Sequence, residues 1–340
     1  MTWLMKLEVK MLTRFPRAHL AHLPTPIEPL HRLRQAIGGP ELWIKRDDQT
    51  GLATGGNKAR KLEFLLGDAL QRGADTLITT GGPQSNHSRQ TAAAAARLGL
   101  RAILALTGHA PADWNGNLLL DDLLGAEIRW LGDVSWWALP GLLEAIAEGE
   151  QQAGYQPYVI PLGGSSPIGA LGYVLAMQEC IEQCREQNLC FDRIVIASSS
   201  AGTQSGLLVG AALYGFEGQI TAISIGESAA ELRQRVSTLL PEILRLLNVD
   251  CLIPPSRIQV IDRYLGAGYA VMGELEREAV RLMAGQEGIL VGPVYTGRAL
   301  GGLIDMIRRG EITAGERVLF WHTGDTAALF AYATDLHRPV

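Results

Sequence analysis

A lysine follows a glycine-rich turn and stands at the start of a predicted helix. The segment reads Gly51-Leu-Ala-Thr-Gly-Gly-Asn-Lys58. Its glycine spacing is similar to that of a Walker phosphate loop, but Asn57 stands where that loop needs lysine. The helix dipole disfavours a cation there, and both dipole and burial lower the pKa of a lysine towards a nucleophilic amine. Lys58 is therefore either a solvated lysine or an amine that condenses with an aldehyde. Lys61, one turn further on, is expected at the surface.

A second glycine-rich turn follows the predicted strand Thr76–Thr79 and reads Gly81-Gly-Pro-Gln-Ser85-Asn86-His87-Ser88. Ser85 or Asn86 would cap the alanine-rich helix that comes next. Free N–H groups at a helix start also form a carboxylate site, and capping does not prevent this. We therefore expect a capped helix whose start can hold a substrate carboxylate. His87 alone is weak evidence for any function.

A third turn follows the predicted strand Arg193–Ala197 and reads Ser198-Ser-Ser200-Ala-Gly202-Thr203-Gln-Ser-Gly206. Its hydroxyls and N–H groups at a helix start suit a phosphate dianion. The dinucleotide pattern Gly-x-Gly-x-x-Gly is absent here, which removes the main support for a nicotinamide oxidoreductase. A single phosphate indicates a mononucleotide-like or pyridoxal cofactor.

Two further turns lie near the C-terminus, Val294-Tyr295-Thr296-Gly297 and His322-Thr323-Gly324-Asp325. Each alone is compatible with an ordinary turn. Both follow apolar, strand-like runs, and ligands of α/β folds bind at the carboxyl ends of strands.

The elements that must position these turns alternate between short β-rich runs and longer amphipathic runs. This alternation predicts an α/β fold with parallel sheets and helices on both faces. The predicted strands are Leu42–Lys45, Thr76–Thr79, Ala102–Leu106, Ile128–Leu131, Tyr158–Ile160, Arg193–Ala197, Ile220–Ile225, Ile258–Ile261 and Val318–Trp321. The predicted helices include Lys58–Gln71, Gln90–Leu98, Leu118–Leu124, Pro140–Ala153, Ile168–Gln187, Glu227–Leu247 and Gly273–Gly285.

Composition narrows the class of protein. The 340 residues are 47% hydrophobic and 19% charged, which excludes disorder, and the net charge of −5 argues against a nucleic-acid partner. No apolar run approaches the ~20 residues of a membrane span, and the charged stretch Met1–Lys10 is no signal peptide, so we expect a cytoplasmic protein without a membrane partner. The cluster Cys180, Cys184 and Cys190 lacks the nearby ligands that would complete a zinc set, so no metal is expected.

Taken together, these segments resemble the D-cysteine desulfhydrase and aminocyclopropane-carboxylate deaminase family of pyridoxal-phosphate enzymes. The resemblance runs from about Pro24 to Leu329. The segments that carry it are Leu23-Pro-Thr-Pro26, Lys45-Arg-Asp-Asp48, Gly55-Gly-Asn-Lys58-Ala-Arg-Lys-Leu-Glu-Phe64, Gln84-Ser-Asn-His87, Gly116-Asn117, Tyr269, Pro293-Val-Tyr295 and His322-Thr-Gly324. It implies two doubly wound, mostly parallel sheets of the tryptophan-synthase-β type (pyridoxal-phosphate fold type II), usually as a homodimer. A smaller domain of 58–166 would be inserted into a larger one of 1–57 and 167–340, with passages between them near Gly55–Gly56 and Leu162–Pro167.

The resemblance also implies roles for single residues. Lys58 would bond covalently to pyridoxal 5'-phosphate, and Asn86 would contact the phenolic oxygen of the cofactor. Ser85, with the N–H groups behind it and His87 beside it, would bind the small amino-acid substrate. Further residues would surround the two molecules: Ser200, Ala201, Gly202 and Thr203 at the phosphate, Thr323 and Gly324 at the pyridine ring, and Tyr269, Tyr295 and Thr296 at the substrate.

The implied reaction is β-elimination, with D-cysteine giving pyruvate, hydrogen sulfide and ammonia. Lys58, once freed by the substrate, would remove the α-proton, and Tyr295 ahead of Tyr269 would protonate the leaving thiolate. The deaminase branch of the family carries glutamate and leucine where this chain has Thr296 and Thr323, as the desulfhydrase branch does. Opening a cyclopropane needs a protonated pyridinium, which a carboxylate would stabilise and a neutral hydroxyl would not.

Three positions depart from the family, which usually has glycine where Ala201, Ala270 and Asp325 stand. Alanine at 201 would be tolerated if its φ is negative. Asp325 adds a carboxylate near Thr323 and bears on the substrate, so cysteate, β-chloroalanine and other β-substituted alanines stay open.

Other activities stay open as well. They are aminocyclopropane-carboxylate deamination, L-cysteate sulfo-lyase chemistry, racemisation, and a binding module for the cofactor or an amino acid without turnover. Two structural expectations complete the prediction. The apolar stretch Trp3–Leu12 is a candidate subunit interface, and the pair Trp136–Trp137 is expected to serve packing, with the shaping of a pocket as the alternative.

Overall fold

A computed structural model, which describes residues 11–337, shows two sheets flanked by helices. The larger sheet has the strand order β1-β2-β10-β7-β8-β9 and is parallel except for β1, and the smaller has the order β5-β4-β3-β6 and is parallel throughout. The strands are β1 (Ile27–Pro29), β2 (Glu41–Arg46), β3 (Thr76–Gly81), β4 (Arg101–Leu106), β5 (Glu127–Trp130), β6 (Pro157–Val159), β7 (Arg193–Ser198), β8 (Gln219–Ser224), β9 (Gln259–Ile261) and β10 (Arg317–His322). The predicted fold of two mostly parallel sheets is confirmed.

Eleven helices lie in the described part of the chain, with short 3-10 turns between them. They are α1 (His31–Ile37), α2 (Lys58–Gln71), α3 (Asn86–Leu98), α4 (Gly116–Leu123), α5 (Leu139–Gln152), α6 (Pro167–Glu186), α7 (Gly202–Tyr214), α8 (Ala229–Leu247), α9 (Glu274–Glu287), α10 (Thr296–Arg308) and α11 (Ala333–Leu336). The first helical residue of α2 is Lys58, as the sequence predicts.

Both faces of the central strands are buried, as parallel sheets require. In the larger sheet, alternate residues of β7 face opposite sides: Ile194 and Ile196 join the core beneath α6 and α7, and Val195 joins the core beneath α9 and α10. In the smaller sheet, Leu77 packs towards α2 and α3, and Ile78 packs towards α5. Each sheet is thus a buried layer whose strand ends are free to carry polar loops.

A buried polar network anchors α2 to the larger sheet. Arg60 donates to both carboxylate oxygens of Asp47 at 2.8 and 3.0 Å and to Glu179 of α6 at 2.8 and 2.9 Å. Lys45 of β2 pairs with the same Glu179 at 2.5 Å, and Trp321 of β10 donates its indole N–H to Asp47 at 2.8 Å. Burial alone would raise the pKa of Asp47, but the positive charges of Arg60 and Lys45 lower it. Since Arg60 lies two residues after Lys58, the network fixes where α2 begins.

The predicted division of the chain into domains stays a prediction. All four strands of the smaller sheet come from Thr76–Val159, which falls inside the predicted insert of 58–166. The predicted interface stretch Trp3–Leu12 lies almost wholly outside the described residues. Among residues 11–337, no helix is long and apolar enough to cross a membrane, and no group of three or more His, Cys, Asp or Glu side chains is placed to hold a metal ion.

Candidate active site

A cavity of 490 Å³ lies where the carboxyl ends of strands from both sheets meet. The loops after β3, β7 and β10 and the start of α2 all contribute to its wall. Ten of the thirteen predicted site residues line it: Lys58, Ser85, Asn86, His87, Ser200, Ala201, Thr203, Tyr269, Tyr295 and Thr323. The topology therefore brings together turns that are up to 265 residues apart in sequence, from Lys58 to Thr323.

Lys58 presents its amine at the wall of this cavity. The main-chain N–H of Asn57 donates to the carbonyl oxygen of Thr323 at 2.9 Å, which fixes the turn to the end of β10. The Lys58 Nζ donates to the side-chain oxygen of Asn57 at 2.9 Å and lies 6.0 Å from the centre of the Tyr295 ring. Desolvation by the surrounding protein lowers its pKa to about 8, against an opposing effect of Asp325. An amine with this pKa is partly neutral near pH 7 and can act as a nucleophile or base.

Lys61 is buried and not at the surface, so the prediction for it was wrong. Its side chain is 1% exposed, and its Nζ donates to the carbonyl oxygen of Gly163 at 3.1 Å and to Ser165 Oγ at 3.4 Å. The ion pairs found among residues 11–337 do not include Lys61. Burial lowers its pKa strongly, and the charge of Lys58 adds to this effect. A buried lysine without a carboxylate partner holds its charge only when an anion lies close by, so its position suits an anion site.

The serine-rich turn before α7 lies next to Lys61. Ser165 Oγ donates to Ser200 Oγ at 2.8 Å and accepts from the Gly202 N–H at 3.2 Å, and Asn57 Nδ2 donates to Thr203 Oγ1 at 3.2 Å. Ser198 Oγ is buried without a hydrogen-bond partner among the described residues. Hydroxyls, the N-terminus of α7 and a buried lysine amine, which an anion would keep protonated, together suit a phosphate.

Ala201 in this turn has a positive φ of +69°. The two other residues that stand where the family usually has glycine also have a positive φ, +60° at Ala270 and +85° at Asp325. The condition that made alanine acceptable at 201, a negative φ, is therefore not met. The left-handed region costs a side chain about 1–2 kcal/mol, so these turns are strained at the site.

Ser85 caps α3, as predicted, because its Oγ accepts from the Ser88 N–H at 3.1 Å. A Cβ on Gly81 would come within 2.4 Å of Ser85 Oγ, so the turn needs glycine at that position. His87 Nε2 lies 2.8 Å from Thr79 Oγ1, and its Nδ1 is buried without a partner among the described residues. Burial, followed by the charges of Lys58 and Lys61, lowers the pKa of His87 strongly, so its imidazole is neutral.

Two tyrosines form the aromatic wall of the cavity. The Tyr269 and Tyr295 hydroxyls are 2.9 Å apart, and their ring centres are 6.1 Å apart. Trp136 continues this wall, since its ring centre lies 6.2 Å from that of Tyr269. Trp136 is 46% exposed and Trp137 is 82% exposed, and both line the cavity mouth, so the expectation that the pair serves packing was wrong. Desolvation raises the pKa of Tyr295, which keeps its phenol protonated.

Three predicted site residues do not line the cavity: Gly202, Gly324 and Thr296. Thr296 is fully buried; its Oγ1 accepts from the Gly292 N–H at 2.7 Å and lies 3.1 Å from the Gly324 carbonyl oxygen, to which it donates. Its contacts fix main chain behind the site instead of facing the substrate. Gly202 contributes only its N–H, and Gly324 packs against Gly56.

Several residues in or next to the cavity carry no recognised signal in the sequence. Ser165, which contacts the serine-rich turn behind the cavity wall, is predicted only as part of a passage between domains, although a serine beside two glycines is also typical of an anion site. Glu227 accepts from Ser199 Oγ at 3.0 Å and pairs with Arg235 at 2.8 Å, both beside the mouth. No spacing rule connects a loop after β8 with the Ser199 turn, so only the fold brings them together.

Comparison with known proteins shows which family the chain belongs to. The profile of the family described as "Pyridoxal-phosphate dependent enzyme" matches residues 19–324. The chain belongs to this family. Among its curated relatives, a D-cysteine desulfhydrase of Salmonella typhi is 44% identical over 94% of this chain and 97% of its own length. A putative 1-aminocyclopropane-1-carboxylate deaminase of Pyrococcus abyssi is 40% identical over 96% of both chains.

Solved structures agree with this placement. One described as an ACC deaminase homologue has a TM-score of 0.89 at 41% identity, covering 96% of this chain and 97% of its own. A threonine deaminase has a TM-score of 0.64 at 18% identity over 88% of this chain and 92% of its own, which shows the fold alone. The fold of this pyridoxal-phosphate enzyme is therefore fold type II, as predicted.

The residues present fit pyridoxal phosphate. The buried Lys61 amine and the unpartnered Ser198 hydroxyl lie where an anion is favoured, beside the start of α7. Lys58 lies on the same cavity wall and is linked to the serine turn through Asn57. An aldehyde with a phosphate tail is what this pairing of an amine and an anion site can accept.

Proposed function

We propose that this pyridoxal-phosphate enzyme carries out β-elimination on D-cysteine, which with water yields pyruvate, hydrogen sulfide and ammonia. The observation that supports it most is the pairing of a lysine amine of lowered pKa with a protonated tyrosine pair on one cavity wall. An elimination needs such a base for the α-proton and an acid for the leaving group. The 44% identical D-cysteine desulfhydrase supports the choice of substrate.

Bound pyridoxal phosphate supplies an aldehyde for the substrate amino group and a ring that withdraws electrons from Cα. The other tasks belong to this chain. The serine turn at 198–203, with Ser165 and Lys61 behind it, holds the phosphate. Ser85 and the N-terminus of α3 hold the substrate carboxylate by charge-assisted hydrogen bonds.

Proton transfer is assigned to Lys58 and the tyrosines. The Lys58 amine takes the α-proton, and Tyr295 gives a proton to the sulfur as the Cβ–S bond breaks. Tyr269 hydrogen-bonds to the Tyr295 hydroxyl at 2.9 Å and orients it. We therefore expect Tyr295→Phe to lower kcat more than it changes KM, because the phenol acts only as the leaving group departs.

The test is a product assay with purified protein and the cofactor. D-cysteine, L-cysteine, L-cysteate, β-chloroalanine and aminocyclopropane-carboxylate are offered in parallel, and sulfide, sulfite, ammonia, 2-oxo acid and substrate configuration are measured. D-cysteine should give sulfide and pyruvate in equal amounts, and Lys58→Ala should give neither. Colour without any product would assign a binding module, and loss of configuration alone would assign a racemase.

Aminocyclopropane-carboxylate deamination is the second candidate. It is favoured by the names of one relative and of one solved structure. Against it stand Thr296 and Thr323, since neither offers a carboxylate to a protonated pyridine ring. Ammonia and 2-oxo acid from this substrate at a rate above that with D-cysteine would decide for it.

We also propose that the enzyme is a cytoplasmic homodimer. The family resemblance supports the dimer, and the four cysteines, all free in the structure, are typical of a reducing compartment. Light scattering on the purified protein should give twice the mass of one 36.7 kDa chain.

A further inference from the structure

Asp325 is a buried carboxylate in the wall of the cavity. It follows β10 with a φ of +85°, is 2% exposed and lines the cavity. A Cβ on Gly292 would lie 2.4 Å from its Cγ, so the carboxylate is packed against the main chain of the 292–295 loop. A left-handed, buried carboxylate has to be stabilised by its partners.

Its two oxygens connect three segments of the chain. Oδ2 accepts from the N–H groups of Val294 at 3.1 Å and Tyr295 at 2.9 Å. Oδ1 accepts from Asn86 Nδ2 at 2.6 Å, the short distance of a charge-assisted bond. The carboxylate thus ties the end of β10 to the loop that carries Tyr295 and to the first residue of α3.

These contacts fix which way the Asn86 amide points. Burial raises the pKa of Asp325 to about 6, so above that pH the carboxylate is ionised and has no hydrogen to donate. The nitrogen of Asn86 must then face it. The Asn86 oxygen accepts from Asn117 Nδ2 at 3.0 Å, and Asn117 is held in turn because its oxygen accepts from Arg89 at 3.1 Å. Asn86 Nδ2 has one acceptor among the described residues, which leaves its second hydrogen for the cavity that Asn86 lines.

We propose that Asp325 is a positioning residue that holds the Asn86 amide with its donor towards the cofactor. This role rests on the proposed function, because it concerns how Asn86 meets pyridoxal phosphate. A glycine at 325 could not make these contacts. Asp325 positions Asn86 and the main chain of Tyr295. Burial lowers the pKa of Lys58, and the charge of Asp325 also opposes this effect.

Both oxygens of Asp325 accept hydrogen bonds, so Asp325→Asn, which replaces one acceptor by a donor, is an informative change. If the new amide keeps its oxygen on the Val294 and Tyr295 N–H groups, its nitrogen faces Asn86 Nδ2, donor against donor. If Asn86 turns over instead, its nitrogen meets Asn117 Nδ2 and a second donor pair forms. Either way one bond to a charged group is lost, which corresponds to about a 10- to 100-fold change in a binding constant.

The experiment is a double-mutant cycle on the protein with its cofactor. Wild type, Asp325→Asn, Asn86→Ala and the double variant are compared by the affinity for pyridoxal phosphate and the absorbance maximum of the bound cofactor. We expect Asp325→Asn to weaken affinity about 10- to 100-fold and to shift the maximum. In the Asn86→Ala background the same change should have a much smaller effect, because the two residues act through one bond.

Controls keep the outcome unambiguous. Asp250→Asn removes a carboxylate from an exposed position and should match wild type. Asp325→Gly suits a φ of +85° but leaves the Val294 and Tyr295 N–H groups without their acceptor, so its folding is checked by denaturant unfolding; it should bind the cofactor more weakly. Wild-type affinity and absorbance in both Asp325 variants, or an equal effect with and without Asn86, would overturn the role. If the role of Asp325 is overturned in this way but Lys58→Ala still loses the cofactor's absorbance, only that role is rejected and the proposed function is kept. A wild-type protein that binds no cofactor would reject both proposals.

Discussion

The amine of Lys58 differs from an ordinary lysine because of where it lies. The chain has five lysines, Lys6, Lys10, Lys45, Lys58 and Lys61. Lys45 is paired with Glu179, and Lys61 is buried against a carbonyl and a hydroxyl. Lys58 alone among the lysines of the described chain lines the cavity. The position of Lys58 at a helix start predicts this role, but the burial of Lys61 three residues later has no signal in the sequence.

The pKa of Lys58 predicts how its reactivity depends on pH. Because its pKa is lowered from 10.5 to about 8, the neutral amine becomes dominant above about pH 8. In the cofactor-free protein, the rate at which a small acetylating reagent modifies Lys58 should rise with pH and reach half its maximum near pH 8. Quantitative mass spectrometry of the Lys58 peptide measures this. A midpoint near 10.5, the value of a free lysine side chain, would contradict the lowered pKa.

The strain at Ala201 gives a second prediction at this scale. Ala201→Gly relieves a φ of +69° and should raise the free energy of unfolding by about 1 kcal/mol. The matched control is Ala212→Gly on the exposed side of α7, which should lower it by about 1 kcal/mol because glycine weakens a helix interior. Denaturant unfolding of both variants gives the comparison, and two losses of equal size would contradict the strain.

At the scale of elements, the sequence predicts nine of the ten strands to within about two residues. These strands have apolar runs, and three of them, β3, β7 and β8, end at glycine or serine. The edge strand β1, three residues with a proline, has no such run and is not predicted. The sequence predicts a helix start after the serine-rich turn but gives no bounds for α7, and it does not predict α1, α10 or α11. Small residues interrupt the apolar patterns of α7 and α10, and α1 and α11 are short.

The buried network beneath α2 predicts a large effect of a residue that does not line the cavity. Arg60→Ala leaves Asp47 and Glu179 as buried carboxylates with fewer partners, which should cost about 3–5 kcal/mol of unfolding free energy. Arg72→Ala, at the end of the same helix, removes an exposed pair with Asp68 and should cost less than about 1 kcal/mol. Equal costs in denaturant unfolding would show that the network does not anchor α2.

At the scale of the whole molecule, the site exists because two sheets point the carboxyl ends of their strands at one cavity. Sequence reasoning locates the three main loops by this rule. It does not place Trp136, Glu227 or Arg235, because their arrangement around the mouth depends on how separate segments pack. Their side chains carry no motif, and only the three-dimensional structure shows them together.

The aromatic mouth predicts a change in substrate binding. Trp136→Ala removes the ring that packs against Tyr269, an interaction worth about 0.5–1.5 kcal/mol, so KM should rise about two- to tenfold with a smaller change in kcat. Trp114→Ala, a tryptophan that is 39% exposed and does not line the cavity, is the matched control. Steady-state kinetics with D-cysteine measures both, and an unchanged KM in the Trp136 variant would contradict its place at the mouth.

The central claim is that one particular lysine forms the covalent linkage to pyridoxal phosphate, and peptide mapping tests it most directly. The protein with its cofactor is treated with borohydride, which fixes the linkage, and is then digested and analysed by mass spectrometry. The account predicts the reduced cofactor on Lys58 and on none of the other four lysines of the chain. Modification of Lys61 or Lys45 instead, or no modification of the Lys58 peptide, would contradict it.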